Sequence, residues 1–263
     1  DEAESAIFAV ADDRLKAAVP LSGTGAWDVA TQSPAAWQHA LLAQAGLTTA
    51  SPEWTALIAG IITPAVMVGG AAAKVLMVNG STDEFFPLTA HMATYGALPG
   101  AEKRTAIAAN FDHGCYQVSG VESAQTIEDR ASMRASGGQR FWFSHWFGTD
   151  PAYACMPAAP VAAAVVAGGV TLFTATVDGG GTCYDGEEVK AWASTDDSFV
   201  YGAVTLEKSG GGWQKLAPVA LPQNAVWFVD VQYKTKSLLF PERFSLSSPP
   251  QVPAGLVPHI RAM

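Results

Sequence analysis

Apolar runs and helical patterns alternate along the first 147 residues of the chain. Strands are predicted for the apolar runs from Arg14 to Gly23, from Lys74 to Gly80 and from Arg104 to Gly114. Helices are predicted from Ser33 to Ala45, from Ser51 onward, from Leu88 to Leu98 and from Glu122 to Phe147. This alternation of strand and helix is typical of an α/β layered domain, in which the strands are parallel and buried.

The pattern changes after Gly148. Residues 151–168 are rich in Ala and Pro and indicate a connection, and from Val170 onward short apolar runs are separated by Gly-rich turn signals. This spacing predicts an antiparallel β-sandwich of the immunoglobulin or fibronectin III type. We therefore expect an α/β domain over residues 1–150, a linker over 151–168, and a β-sandwich with an irregular tail over 169–263.

The stretch from Thr55 to Ala73 contains no charged residue and has the length of a membrane-spanning helix. Pro64 interrupts it, however, and Lys74 leads directly into the next predicted strand, which leaves no room for a loop outside a bilayer. We interpret the stretch as a buried helix, a break and a loop, and predict no membrane span.

The composition excludes some classes of function. Of 263 residues, 49% are hydrophobic, which is ample for a packed core. The net charge is -9 and the 15 Lys and Arg residues form no dense run, so binding to nucleic acid is not expected. No spacing typical of a metal or cofactor site occurs, and we predict neither.

The chain begins Asp-Glu-Ala-Glu-Ser, without a basic segment of the kind that starts a signal peptide. We interpret it as a mature, cleaved or partial chain of a secreted or periplasmic protein. Its three Cys residues, Cys115, Cys155 and Cys183, allow one disulfide with one thiol left over. Because Cys115 follows His113 by two residues, it is also considered as a nucleophile. A metal site of Asp83, His113 and Cys115 is the other alternative, but these residues lack a recognised ligand spacing.

Two predicted strand ends carry side chains that could act in catalysis. Asp83 follows the strand from Lys74, and His113 follows the strand from Arg104, with one helix between them. Because the carboxyl ends of parallel strands meet at one edge of a sheet, we expect the two side chains to lie close together. The carboxylate would then orient the imidazole as a general base. In the competing interpretation, Asp83 only caps the helix near Pro87 and His113 belongs to a turn.

The segments VLMVNGSTDEFFP, NFDHG and ADDRLKAAVPLSG resemble the α/β-hydrolase superfamily, and most closely the PhoPQ-activated pathogenicity-related proteins. The resemblance covers residues 1–150, and the family has a C-terminal β-sandwich. It implies that Asp83 is the acid and His113 the base of a Ser-Asp-His triad, and that Glu84 is only a neighbour. It also implies the C-terminal part of an α/β-hydrolase sheet with flanking helices.

The nucleophile of that family lies on a Gly-x-Ser-x-Gly turn, and this motif does not occur in the chain. The positions of four other serines do not suit a nucleophile: Ser5 lies in a helix that would follow the elbow, Ser22 after the wrong strand, Ser81 on the loop of the acid, and Ser144 in an aromatic helix. We therefore expect the nucleophile on a segment that precedes Asp1. Without that segment, the predicted strand Leu15–Val19 would expose an apolar parallel edge.

The sequence thus predicts part of an esterase- or peptidase-type serine hydrolase, which acts on a small ester or peptide together with the N-terminal segment of the same protein. The alternative is a non-catalytic, hydrolase-like binding or surface protein. Two further hypotheses concern aromatic residues: the block around His145 could line a substrate pocket, and Trp192, Trp213 and Trp227 could bind carbohydrate.

Overall fold

The computed structural model describes residues 14–23, 25–34, 36–56, 73–100, 102–113, 136–179, 181–194, 200–218, 220–238 and 242–253. Within these ranges the strands are β1 (Ala17–Ala18), β2 (Lys74–Gly80), β3 (Lys103–Ala108), β4 (Val161–Ala167), β5 (Val170–Thr176), β6 (Tyr184–Ser194), β7 (Gly202–Thr205), β8 (Glu207–Ser209), β9 (Gly212–Ala217), β10 (Val226–Thr235) and β11 (Arg243–Ser247). The helices in the same ranges are α1 (Trp27–Ala30), α2 (Trp37–Gln44), α3 (Pro52–Trp54), α4 (Leu88–Ala97) and α5 (Gly138–Phe147).

Strands from both halves of the chain form one seven-stranded sheet in the order β1-β2-β3-β11-β10-β6-β7. Strands β1, β2 and β3 are parallel. Strand β11 lies antiparallel beside β3, with Ser247 opposite Thr105, and the strands beyond it are also antiparallel. The Ser247 hydroxyl strengthens this junction, because it accepts the Ile107 N–H at 2.8 Å and donates to Asp230 Oδ1 at 3.0 Å.

The predicted fold class is wrong. Instead of an α/β-hydrolase sheet followed by a β-sandwich, the described residues form one mixed seven-stranded sheet and one antiparallel four-stranded sheet, and strand residues exceed helical residues. The physical reason is the open side of β3, whose backbone groups pair with β11 rather than with another parallel strand. The strands predicted for the sandwich are thereby divided between the two sheets.

The second sheet has the order β4-β5-β9-β8 and is antiparallel throughout. Its first strand, Val161–Ala167, lies in the segment 151–168 that the composition indicates as a linker. Alanine has a low strand propensity, so the sequence VAAAVVA gave little local signal for β4. The strand forms because β5 pairs with it along all seven residues.

The main core continues from the parallel strands into the antiparallel part of the sheet. Helix α5 packs beneath this junction, where Phe141 stacks on Phe244 with 3.7 Å between ring centroids. Trp142 is fully buried on the same helix and donates its indole N–H to the Lys74 carbonyl at 3.3 Å. Aromatic side chains from α5 and β11 thus hold the two parts of the large sheet together.

Several sequence predictions can be compared with individual elements. Strand β2 has the predicted bounds, and α4 ends at Ala97, one residue before the predicted end. Helix α2 begins at Trp37, three residues after Pro34, and its N-cap is Ala36 rather than Ser33. Several stretches lie outside the described residues, among them 1–13, most of the apolar stretch 55–73, residues 122–135 of the predicted long helix, and the segment that contains Cys115.

Two observations bear on the compartment. Cys155 and Cys183 form a disulfide, which is compatible with an oxidising environment. Among the described helices, none is both long and apolar enough to cross a membrane.

Candidate functional site

Strands β2 and β3 bring two chemically active loops to the same edge of the sheet. Their parallel register pairs Gly80 with Ala108, so both strands end at the same level. The loop after β2 carries Asp83, and the loop after β3 carries His113. This placement agrees with the general position of ligand and catalytic sites outside the carboxyl ends of parallel strands.

Asp83 and His113 are in direct contact. His113 Nδ1 lies 3.2 Å from Asp83 Oδ1 and 3.2 Å from Oδ2, so its N–H can be shared between both carboxylate oxygens. The Asp83 side chain is fully buried, whereas the His113 side chain is 22% exposed. A buried carboxylate thus contacts one edge of an imidazole that reaches the surface, as orientation of a general base requires.

Asp83 also organises its own loop. Its Oδ1 atom accepts the backbone N–H of Phe85 at 2.9 Å and that of Phe86 at 2.7 Å. Burial raises the pKa of Asp83, while the contacts with His113 and with these two N–H groups oppose the rise. One carboxylate therefore orders the turn and contacts the histidine. The prediction that Asp83 only caps the helix near Pro87 is wrong, because the N-cap of α4 is Pro87 and receives no side-chain hydrogen bond.

Glu84 has a role that the sequence interpretation missed. Its Oε2 atom accepts the backbone N–H of His113 at 3.2 Å, and its own carbonyl accepts the backbone N–H of Trp37 at 3.1 Å. Glu84 therefore ties the histidine loop and the start of α2 to the loop after β2. No local pattern indicates such a contact, since it joins a side chain to a backbone group 29 residues away.

Aromatic rings cover the histidine on the side of this loop. The ring centroids of Phe85 and Phe86 lie 4.4 and 5.5 Å from that of His113. Trp37 packs on Phe85 at 5.1 Å, and Trp27 packs on Phe86 at 6.0 Å. These four rings, which we call the aromatic wall, restrict the orientations of the imidazole and lower the polarity around it.

Close backbone contacts fix the two loops against each other. Thr82 donates both its backbone N–H and its hydroxyl to the Phe111 carbonyl, at 3.0 and 2.7 Å. The Ser81 hydroxyl accepts the backbone N–H of Asn110 at 2.8 Å. Asn110 itself has a φ of +64°, and its side chain bonds the backbone of Tyr201 through both its amide and its oxygen. The position of His113 is thus determined by several strong contacts rather than by one loop alone.

The serines considered as nucleophiles occupy different positions. Ser81 is buried and its hydroxyl holds the Asn110 loop, and Ser144 lies on α5. Ser22 follows β1 at the same sheet edge and has a φ of +49°, a strained conformation for a residue other than glycine. Its backbone N–H donates to the Val78 carbonyl at 2.7 Å, which anchors this turn to β2.

The aromatic block around His145 is divided between the core and the surface. Phe143 and Phe147 line a surface cavity of about 670 Å³, so the hypothesis that the block lines a substrate pocket stays a prediction. His145 Nδ1 lies 2.7 Å from the Tyr153 carbonyl and so joins α5 to the following turn. Trp192 is only 2% exposed and belongs to the core, and Trp213 is covered by the Lys208 ammonium group at 5.2 Å. Trp227 packs edge-on against Phe173.

Chemically, the site can orient an imidazole and stabilise its protonated form. Within the described part of the chain, no three His, Cys, Asp or Glu side chains are grouped as metal ligands. Comparison of the chain with family models, curated proteins and solved structures finds no significant match.

Proposed function

We propose that this chain supplies the acid and the base of a serine hydrolase that cleaves small esters or peptides. The observation that carries the proposal is the contact of His113 Nδ1 with both oxygens of the buried Asp83 carboxylate. Such a contact selects the tautomer in which Nδ1 carries the proton, so that Nε2 presents a lone pair.

In the proposed reaction, His113 Nε2 takes the proton of a serine hydroxyl as the serine oxygen attacks the substrate carbonyl. The C–O or C–N bond to the leaving group then breaks, and the leaving group takes the proton from Nε2. A water molecule repeats both steps on the acyl-enzyme, which releases the acid and restores the serine. Asp83 stabilises the imidazolium that forms twice in this cycle.

The nucleophile and the oxyanion-hole amides belong, in this proposal, to a segment that precedes Asp1 in the natural protein. At the described sheet edge, the Ser81 hydroxyl holds the Asn110 loop. Ser22 follows β1, which in the family resemblance is the strand after the nucleophile elbow. The disulfide between Cys155 and Cys183 supports a secreted or periplasmic location.

Hydrolysis of p-nitrophenyl esters by the full-length natural protein tests the proposal. His113→Ala is expected to reduce kcat by at least about 10³-fold, because no other group would accept the serine proton. His39→Ala is the matched control, since His39 contacts the Thr31 carbonyl outside the site, and it should leave kcat within about twofold.

A second variant separates positioning from proton transfer. Glu84→Gln keeps a side-chain oxygen that can accept the His113 N–H, whereas Glu84→Ala removes it. We expect Glu84→Ala to lower kcat by about 10-fold and Glu84→Gln to restore most of the loss, because a misplaced base is inefficient. Ester hydrolysis that is unchanged in His113→Ala would overturn the assignment of His113 as the base. Absence of hydrolysis from the natural protein would overturn the proposal and favour the non-catalytic binding protein.

A further inference from the structure

Strand β4 forms one edge of the four-stranded sheet. It pairs with β5 on one side, and no strand of the described ranges pairs with it on the other. Alternate residues of an edge strand direct their backbone N–H and C=O groups away from the sheet. Over the seven residues Val161–Ala167, β4 therefore offers a row of backbone donors and acceptors that an extended chain can complement.

The strand lacks the features that usually prevent such pairing. Its sequence, VAAAVVA, contains no charged residue, proline or glycine. Val161, Val165 and Val166 are 69%, 58% and 50% exposed, which is unusual for three valines on one strand. The opposite edge of the same sheet, β8, differs because it is only three residues long and carries Glu207 and Lys208.

We propose that β4 pairs antiparallel with β4 of a second copy of this chain, about a two-fold axis through Ala164, so that two four-stranded sheets become one of eight strands. In antiparallel pairing, opposed residues must both direct their backbone groups toward, or both away from, the partner. In a symmetric pair of identical strands, the two-fold axis therefore passes through a pair of equivalent residues. Only an axis through Ala164 pairs all seven residues of β4.

The side chains fit this register. It places Val161 opposite Ala167, Val166 opposite Ala162 and Val165 opposite Ala163, so that each large side chain meets a small one. Ala162 and Ala164 pack toward the core, and Val166 lines a groove of about 560 Å³ beside Trp227. The second copy would thus continue the inner face and the outer face of the sheet without two valines colliding.

Charge and area also favour a second copy. Although the chain has a net charge of -9, the four strands of this sheet carry only Glu207, Lys208 and Lys215, so the excess negative charge lies elsewhere. On the outer face, Val165, Leu172 and Leu216 form a continuous apolar row across β4, β5 and β9. A seven-residue strand pair is small for a stable interface, so we expect a reversible dimer with a Kd on the order of 10–100 µM.

Sedimentation velocity over about 1–300 µM tests the association, a range that brackets the expected Kd. The chain should shift from monomer to dimer as its concentration rises, and Val165→Lys should remain monomeric because it introduces like charges across the axis. Ser209→Lys on the opposite edge is the control and should dimerise as the unmodified chain does. A chain that stays monomeric throughout, or that forms open-ended oligomers, overturns the proposal.

Cross-linking tests the register without relying on Val165→Lys. In the proposed dimer the two copies of residue 164 face each other with about 5 Å between Cα atoms, within reach of a disulfide. The two copies of residue 162 are separated by about 14 Å, which is too far. Under oxidation Ala164→Cys should therefore form a covalent dimer and Ala162→Cys should not. Equal cross-linking of both variants would overturn the proposed register.

Discussion

At the scale of single residues, burial sets the behaviour of the ionisable side chains near the parallel strands. Asp83 is buried and retains contacts with His113 and two backbone N–H groups, so its charged form has partners. His91 on α4 is fully buried, and its Nε2 lies 2.7 Å from the Thr105 hydroxyl, while its Nδ1 has no hydrogen-bond partner in the part of the chain that the structure describes. Asp83 is thus a buried ionisable group whose charged form is hydrogen-bonded, whereas His91 is a buried ionisable group with a partner for only one ring nitrogen among the described residues.

His91 is expected to make the stability of the fold depend on pH. Burial lowers the pKa of His91 from 6.5 to about 3, so between these values the unfolded chain binds a proton that the folded chain does not. The stabilisation is therefore fully present above pH 6.5 and is lost as pH falls toward 3, by up to about 1.4 kcal/mol per pH unit.

Urea denaturation between pH 7 and 4 measures this dependence. His91→Gln should flatten the curve, because glutamine does not titrate but can still bond the Thr105 hydroxyl. Carboxylates contribute equally to both proteins, so the difference between the two curves isolates His91. Parallel curves would show that His91 does not carry the effect.

The site illustrates how far single residues can be predicted. Asp83 and His113 can be identified from the sequence because each follows a predicted strand, and the carboxyl ends of parallel strands lie at the same edge of a sheet. The contact of Glu84 with the His113 backbone cannot be predicted in this way, because it depends on the paths of two loops rather than on a residue type.

At the scale of elements, the end of β2 determines where the functional loop begins. Gly80 lies so close to the following loop that a Cβ atom there would be 2.3 Å from the Phe111 carbonyl oxygen. Only glycine allows this approach without a shift of backbone. The same approach permits the hydrogen bonds of Thr82 to the Phe111 carbonyl.

Gly80→Ala is expected to lower the free energy of unfolding by about 1–3 kcal/mol, because the new methyl group forces the loop after β3 to move. Gly96→Ala is the matched control. Gly96 is exposed within α4 and has nothing within 4 Å of an added Cβ, so alanine should stabilise the helix by about 0.5–1 kcal/mol. Chemical denaturation of both variants checks the prediction, and equal effects would contradict it.

The sequence predicts the bounds of β2, whereas the sequence of β4 indicates part of a linker. The run KVLMVNG has consecutive apolar residues and a clear Gly end, and it is buried almost throughout. The run VAAAVVA has no alternation and is mostly exposed, so its strand conformation depends on pairing with β5. A local sequence pattern predicts a strand best when the strand is buried, because burial requires apolar residues. It predicts a strand poorly when the strand forms only by pairing with a neighbouring strand.

At the scale of the whole molecule, a single sheet contains strands that are far apart in the sequence. The junction between β3 and β11 joins residues about 140 positions apart, and Ser247 bonds to both sides of it. No sequence pattern indicates that β11 would pair with β3 instead of closing a separate sandwich, because both strands carry the same kinds of residues. The division of the chain into residues 1–150 and 169–263 stays a prediction.

Because one core crosses this junction, we expect the chain to unfold in a single cooperative transition. Trp fluorescence and far-ultraviolet circular dichroism should give coincident urea curves. Ser247→Ala should shift both curves together, by about 1–3 kcal/mol, because two buried hydrogen bonds are lost. Ser209→Ala, on an exposed edge, should change the free energy by less than about 0.5 kcal/mol. Two separate transitions would instead indicate two independent domains.

The roles of Asp83 and His113 are tested most directly by the rate at which a fluorophosphonate probe labels the full-length natural protein. The proposal predicts covalent labelling of a serine on the segment preceding Asp1, and a labelling rate at least about 10²-fold lower in His113→Ala. His39→Ala should label at the rate of the unmodified protein. Equal labelling rates for His113→Ala and the unmodified protein, or no labelling of either, would contradict the assignment of Asp83 and His113 as the acid and base of a hydrolase.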